Sequence, residues 1–174
     1  MSQTVSYQTL AVLVENKAGV LARVADLFAR RGYNIASLTV APTRDERFSR
    51  ITIVVDVESS PLEQISKQLF KLINVVEIQE LTADTAIQRE LIIATLDLSD
   101  GEKSTIDDVL ESYSGKVLFD AEGQITVSME SNPSKVDEFE DELDKFNIVY
   151  LQRSGRIALP KIGRSIAKHT AGFE

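Results

Sequence analysis

The chain has 174 residues, 43% of them hydrophobic and 26% charged, the balance of a soluble globular protein with apolar material for one large core or two small ones. It contains no cysteine, which excludes disulfides, thiolate metal sites and a cysteine nucleophile, and no apolar run approaches the roughly 18 residues of a membrane span. The net charge of −8 is unevenly placed: residues 1–83 carry 9 basic and 9 acidic side chains, 84–159 carry 7 and 17, and 160–174 carry 3 and 1, so two units with different surfaces are expected, and neither attracts nucleic acid by bulk charge.

Met1-Ser2-Gln3-Thr4 lacks the basic-then-apolar pattern of a secretory leader, and a cytoplasmic setting is expected. Tyr7 to Glu15, apolar at Leu10, Val12 and Val14 with Ala11 and Leu13 between, reads as a central strand. A helix follows with Val20, Leu21, Val24, Leu27 and Phe28 on one face. Arg30 and Arg31 complement its dipole, and Gly32 stands where a left-handed C-cap belongs. Asn34 to Pro42 is a second strand. The polar turn Thr43 to Arg47 leads to a third, alternating at Ile51, Ile53, Val55 and Val57. Ser60-Pro61-Leu62-Glu63 is a capping box with proline at the first helical position, opening a helix through Ile65, Leu69, Leu72 and Ile73. Val75 to Leu81 is the fourth strand, completing the β-α-β-β-α-β plan of a ferredoxin-like domain.

The second half repeats this order. It has a strand at Leu91 to Leu98, a helix at Ser99 to Tyr113 stopped by Gly115, and a hairpin of Lys116 to Asp120 with Gln124 to Glu130. A helix opens at Asn132-Pro133, and a closing strand runs from Ile148 to Leu159. The expected fold class is α+β, with two tandem ferredoxin-like domains over 1–83 and 84–160, and a basic, loosely held tail over 161–174.

One junction carries a functional signal. In Val14-Glu15-Asn16-Lys17-Ala18-Gly19-Val20-Leu21 an apolar strand ends in an acid–amide pair and a glycine opens an apolar helix. Free amides of a first helical turn favour negative charge, glycine permits close approach, and Asn16 can offer a carbonyl oxygen to an ammonium group. Together these suit a free amino acid. The plainer alternative makes Asn16 the helix N-cap and Gly19 part of a tight turn.

That junction, continued by Ala22-Arg23-Val24, by Phe28, and by Arg31-Gly32-Tyr33-Asn34-Ile35-Ala36-Ser37-Leu38-Thr39-Val40-Ala41-Pro42, resembles the regulatory small subunit of acetolactate synthase, also called acetohydroxyacid synthase. Ser49 to Ile53, Gln64 to Leu72, Arg89-Glu90-Leu91 and Arg153-Ser154-Gly155-Arg156 extend the resemblance over nearly the whole chain. It implies an N-terminal ACT domain that pairs with a second copy and binds a branched-chain amino acid, usually valine, at the interface. Asn16, Gly19, Val20 and Leu21 of one chain and Asn34 and Ile35 of its partner would form that effector site. Where related bacterial sequences often carry serine after the leucine, this chain has Ala22. The resemblance also implies a catalytic large subunit as partner, with thiamine diphosphate, Mg²⁺ and FAD held there, and no cofactor, metal site or catalytic residue in this chain.

The residues point to no catalysis of their own. The one histidine, His169, lies in the basic tail, no Gly-x-Ser-x-Gly or Gly-rich phosphate loop is present, and Asp107-Asp108 and the run from Asp137 to Asp144 lack Ca-loop spacing and read as solvated helix faces. An RNA-recognition motif would need aromatics on its central strands, whereas the third strand reads Arg50-Ile51-Thr52-Ile53-Val54-Val55. The nearer rival is an ACT-domain amino-acid sensor attached to another biosynthetic enzyme. The hairpin tip Arg44 to Arg47 is a candidate contact with a partner, or simply a polar turn.

Overall fold

The computed structural model describes residues 7–56, 62–99, 101–166 and 168–170. In chain order the elements are β1 (Tyr7–Glu15), α1 (Val20–Arg31), β2 (Ile35–Pro42), β3 (Phe48–Asp56), α2 (Leu62–Leu69), β4 (Val75–Leu81), β5 (Ala86–Asp97), α3 (Glu102–Tyr113), β6 (Lys116–Ala121), β7 (Gln124–Ser131), α4 (Pro133–Leu143), β8 (Asn147–Arg153), β9 (Ile157–Pro160) and β10 (Lys168–Thr170). They form two compact units: Met1–Ile87 with Arg156–Glu174, and Gln88–Gly155. The first sheet has the order β10-β4-β1-β3-β2, and the second β6-β7-β5-β8. Reading β4-β1-β3-β2 against β8-β5-β7-β6 shows the same ferredoxin-like order twice.

In the first unit the alternation of β1 and β3 sends Leu10, Val12, Val14, Ile51, Ile53 and Val55 to one face. There they meet Val20, Val24 and Phe28 of α1 and Ile65 and Leu69 of α2, all buried. Burying side chains of this size stabilises by about 1.5–3 kcal/mol each, which makes this layer the main source of stability. Helix α1 starts at Gly19 and ends at Gly32, both in the left-handed conformation, and the Gly32 and Tyr33 amides close its last turn on Ala29 and Phe28. The capping box at 60–63 falls partly outside the described residues.

The second unit packs Ile92, Ala94 and Leu96 of β5 and Ile125, Val127 and Met129 of β7 against Ile106, Leu110, Val136, Phe139 and Leu143 of its helices. Asn132 caps α4 by accepting from the Lys135 amide at 3.0 Å, with Pro133 in the first turn. Helix α3 ends differently from the expectation. Ser114, not Gly115, takes the left-handed position, with φ 56°. Gly115 is needed for space: a Cβ there would stand 2.6 Å from Leu110 Cδ2. The acidic back of α4 is only partly solvated. Arg153 bonds buried Glu90 with both Nε and Nη2 at 2.9 Å, and also reaches Asp137 and Glu140 at 2.8 Å. Its bonds to Glu90 raise the guanidinium pKa against the opposing pull of partial burial.

Beyond β8 the chain carries two further strands. The closing strand expected over 148–159 is two strands, β8 and β9, and Arg156–Glu174 groups with the first unit. Strand β9 pairs with β5, whose first two residues belong to the first unit, and buried Ala158 packs with Ala11, Leu81 and Ala86. The small Ala11 on the back of β1 leaves room for this return. Strand β10 then pairs with β4, His169 lying opposite Ile78, so His169 is a sheet-edge residue whose side chain is 43% exposed. Its ring meets Phe70 edge-on at 6.0 Å and its Nε2 lies 3.8 Å from Glu80.

Candidate functional site

The junction between β1 and α1 is held from two directions. The Glu15 amide donates to the Asn74 carbonyl at 2.9 Å, and the Asn16 amide to the Arg47 carbonyl at 2.7 Å. The Asn16 side chain does not cap α1. Its Nδ2 donates to the Glu46 carbonyl at 2.9 Å, and its Oδ1 has no protein partner among the described residues. The position before the helix is Gly19, at φ 81° and ψ −5°, a conformation that costs L side chains about 1–2 kcal/mol. No side chain caps its first turn.

The Val20 amide donates to the Lys17 carbonyl at 3.3 Å and the Arg23 amide to the Gly19 carbonyl at 3.1 Å. The amides of Gly19, Leu21 and Ala22 have no acceptor among the described residues. They are the unpaired donors of a helix start, where partial positive charge accumulates. Of the residues expected to act here, Val20 has its side chain in the core at 4% exposure and its amide engaged, while Leu21 is 41% exposed. The junction therefore places a free amide oxygen, three free N–H groups and an exposed aliphatic side chain within one short segment.

A polar network that sequence reasoning missed surrounds this segment. Glu15 pairs with Lys17 Nζ at 3.0 Å and accepts from Asn74 Nδ2. Asn74 Oδ1 in turn accepts from Arg23 Nη1 at 2.6 Å. The Lys17 ammonium, and after it the Asn74 amide, hold the Glu15 carboxyl below the usual carboxylate value. Asn74 is far from its partners in sequence, and no local pattern marks it.

Asn34 and Ile35 lie elsewhere in the chain. Ile35 pairs with Val55, which pairs with Gln8, whereas Asn16 follows Glu15 at the other end of β1. Eight residues of strand separate the two levels, about 26 Å at roughly 3.3 Å per residue. Within one chain these two groups do not meet. They lie at opposite ends of a sheet whose edge strand is β2.

Residues 10–77 match the family model of the acetohydroxyacid synthase small subunit-like ACT domain, and residues 89–162 that of the small subunit of acetolactate synthase. The acetolactate synthase small subunit of Mycolicibacterium smegmatis is 40% identical over 166 residues, spanning 95% of this chain and 98% of that one. The chain belongs to the acetolactate synthase small-subunit family. A probable acetolactate synthase small subunit of Archaeoglobus fulgidus is 37% identical over 151 residues, with 87% and 94% coverage. The crystal structure of the small subunit from Thermotoga maritima matches with a TM-score of 0.83 at 29% identity, covering 92% of this chain and all of that one. Within this family residues 10–77 are the ACT domain and the role of the chain is regulatory.

Proposed function

We propose that two copies of this chain pair along their β2 edges and bind a branched-chain amino acid, valine foremost, at both ends of the joint. The carrying observation is the β1–α1 junction, where within residues 16–22 the amides of Gly19, Leu21 and Ala22 and the Asn16 Oδ1 have no partner among the described residues. A zwitterion with a small hydrocarbon side chain matches that set: carboxylate to the amides, ammonium to the amide oxygen, side chain to Leu21. The opposite placement of Asn34 and Ile35 supports a shared site. An antiparallel pairing about the middle of β2 brings the start of one strand to the end of the other. It thereby carries Asn34 and Ile35 to the end of the sheet where the second copy's Asn16 stands.

On this reading the paired chains dock on a cytoplasmic acetolactate synthase catalytic subunit and raise its activity. Thiamine diphosphate, Mg²⁺ and FAD stay with that partner, and this chain contributes no catalytic residue. Effector binding reverses the activation. The two Asn16 bonds to Glu46 and Arg47 offer a route by which occupancy reaches the β2–β3 hairpin tip. The family relatives support the partner through their shared designation as small subunits.

Calorimetry of the full chain against L-valine, L-leucine and L-isoleucine tests the effector, and an activity assay with the catalytic subunit tests its consequence. Valine is expected to bind tightest, with the larger pair weaker by about 1–3 kcal/mol for the extra methylene. Linkage requires a catalytic subunit whose docking valine weakens to lower valine affinity by the same factor. Failure of all three amino acids to bind would refute the proposal.

A further inference from the structure

One neutral side chain grips both ends of the effector segment. Asn74 lies between α2 and β4, 59 positions from Glu15 and 51 from Arg23. Its backbone carbonyl accepts from the Glu15 amide, its Nδ2 donates to the Glu15 carboxylate, and its Oδ1 accepts from Arg23 Nη1. Glu15 immediately precedes Asn16. Arg23 closes the first turn of α1 on the Gly19 carbonyl, and its Nη2 stands 3.8 Å from where a Gly19 Cβ would be. Residues 16–22, which hold the free oxygen and the free amides, lie between the two gripped residues. An amide suits this place. It donates to a carboxylate and accepts from a guanidinium at once, which neither a carboxylate nor a hydrocarbon does.

We propose that Asn74 is a positioning residue for the effector. It fixes the spacing between Asn16 and the first turn of α1, so that the ammonium acceptor and the carboxylate donors are set before the ligand arrives. This rests on the effector reading above. Asn74 touches no ligand. Its contribution is preorganisation, which raises affinity by removing the cost of ordering the segment on binding. The Lys17 ammonium favours the ionised form of Glu15, the form that accepts from Asn74.

The test is calorimetry of the full chain with L-valine. Asn74→Ala removes both side-chain bonds. Asn74→Asp keeps the acceptor for Arg23 but sets a second carboxylate against Glu15. Each is expected to weaken valine about tenfold, the worth of one charge-assisted bond. The double variant Glu15→Gln with Asn74→Asp reverses donor and acceptor between these two positions and restores affinity toward the wild-type value. Ile78→Val, a buried change on β4, controls for general loss of stability: it lowers the melting temperature and leaves valine affinity unchanged. If Asn74→Ala fails to fold by circular dichroism, Asn74→Asp and its double partner decide. Wild-type affinity in Asn74→Ala, or a double variant no tighter than Asn74→Asp, overturns the inference. A wild-type chain that takes up no valine sinks the effector reading and this inference with it. Weakening by Asn16→Ala alone, with Asn74→Ala intact, sinks only the positioning role.

Discussion

Replacing Gly19 separates the effector site from the stability of the fold. At φ 81° any L residue pays about 1–2 kcal/mol of backbone strain, with aspartate among the better tolerated. Space is not the obstacle, since the nearest atom to a new Cβ is the flexible end of Arg23 at 3.8 Å. Gly19→Ala therefore lowers the melting temperature by roughly 4–8 °C per kcal/mol of strain for a domain near this size. It leaves the free amides in place, and valine affinity falls less than tenfold. Gly19→Asp carries the same strain, partly offset because its carboxylate can accept from the first-turn amides. That carboxylate then occupies the place of the ligand's own and repels it. Losing one or two charge-assisted bonds at about 1.5–3 kcal/mol each predicts a drop of about a hundredfold or more. Calorimetry with valine and a thermal melt of each variant read the two effects separately. Equal valine affinity in Gly19→Asp and wild type would refute the site.

Gly115→Ala drives a Cβ to 2.6 Å from Leu110 Cδ2 and should cost the second unit about 1–3 kcal/mol in urea unfolding, with valine binding unaffected. Arg153→Ala strips Glu90, which is 5% exposed, of its guanidinium partner, and should cost about 3 kcal/mol in the same assay. The Glu15 carboxyl should titrate below the usual glutamate range by NMR, and Lys17→Ala should move it upward, since the Lys17 bond is the largest cause of its depression. A group whose folded pKa is depressed stabilises above its unfolded value, so the Glu15 contribution is lost as pH falls through the folded pKa. Val40→Asp on the β2 edge should dissociate the pair in light scattering and weaken valine binding together; a dimer that persists with full affinity would place the joint elsewhere.

Much of the first unit is legible because its elements are bounded by residues with one strong local meaning. The α1 helix shows its apolar face, its terminal arginines and Gly32, and β1 and β4 have the bounds that the apolar pattern gives. Asn132-Pro133 marks α4 equally plainly. What escapes is non-local. Ala158 reads as nothing until it meets Ala11 and Ala86, and β10 has its partner in β4, far away in the chain. Gly115 illustrates a second limit: glycine near a helix end suggests positive φ, yet here it serves close packing against Leu110.

The candidate site divides in the same way. Asn16 and Gly19 to Leu21 are contiguous, so strand, turn and helix signals converge on them. Asn34 and Ile35 enter through family resemblance alone, because their proposed relation to Asn16 depends on a second chain. The Glu15–Asn74–Arg23 bridge spans more than 50 positions and only folding assembles it.

Mixing two damaged chains tests the shared pocket most directly. Asn16→Ala and Asn34→Ala variants are each expected to bind valine weakly, since on the proposed pairing each pocket of either homodimer lacks one of the two amides. After dissociation and equal mixing, half of the dimers are mixed, and each of these rebuilds one intact pocket. About a quarter of the wild-type number of tight valine sites should therefore reappear in calorimetry. No recovery on mixing, with mixed dimers demonstrated by mass spectrometry, would contradict a site built from two chains.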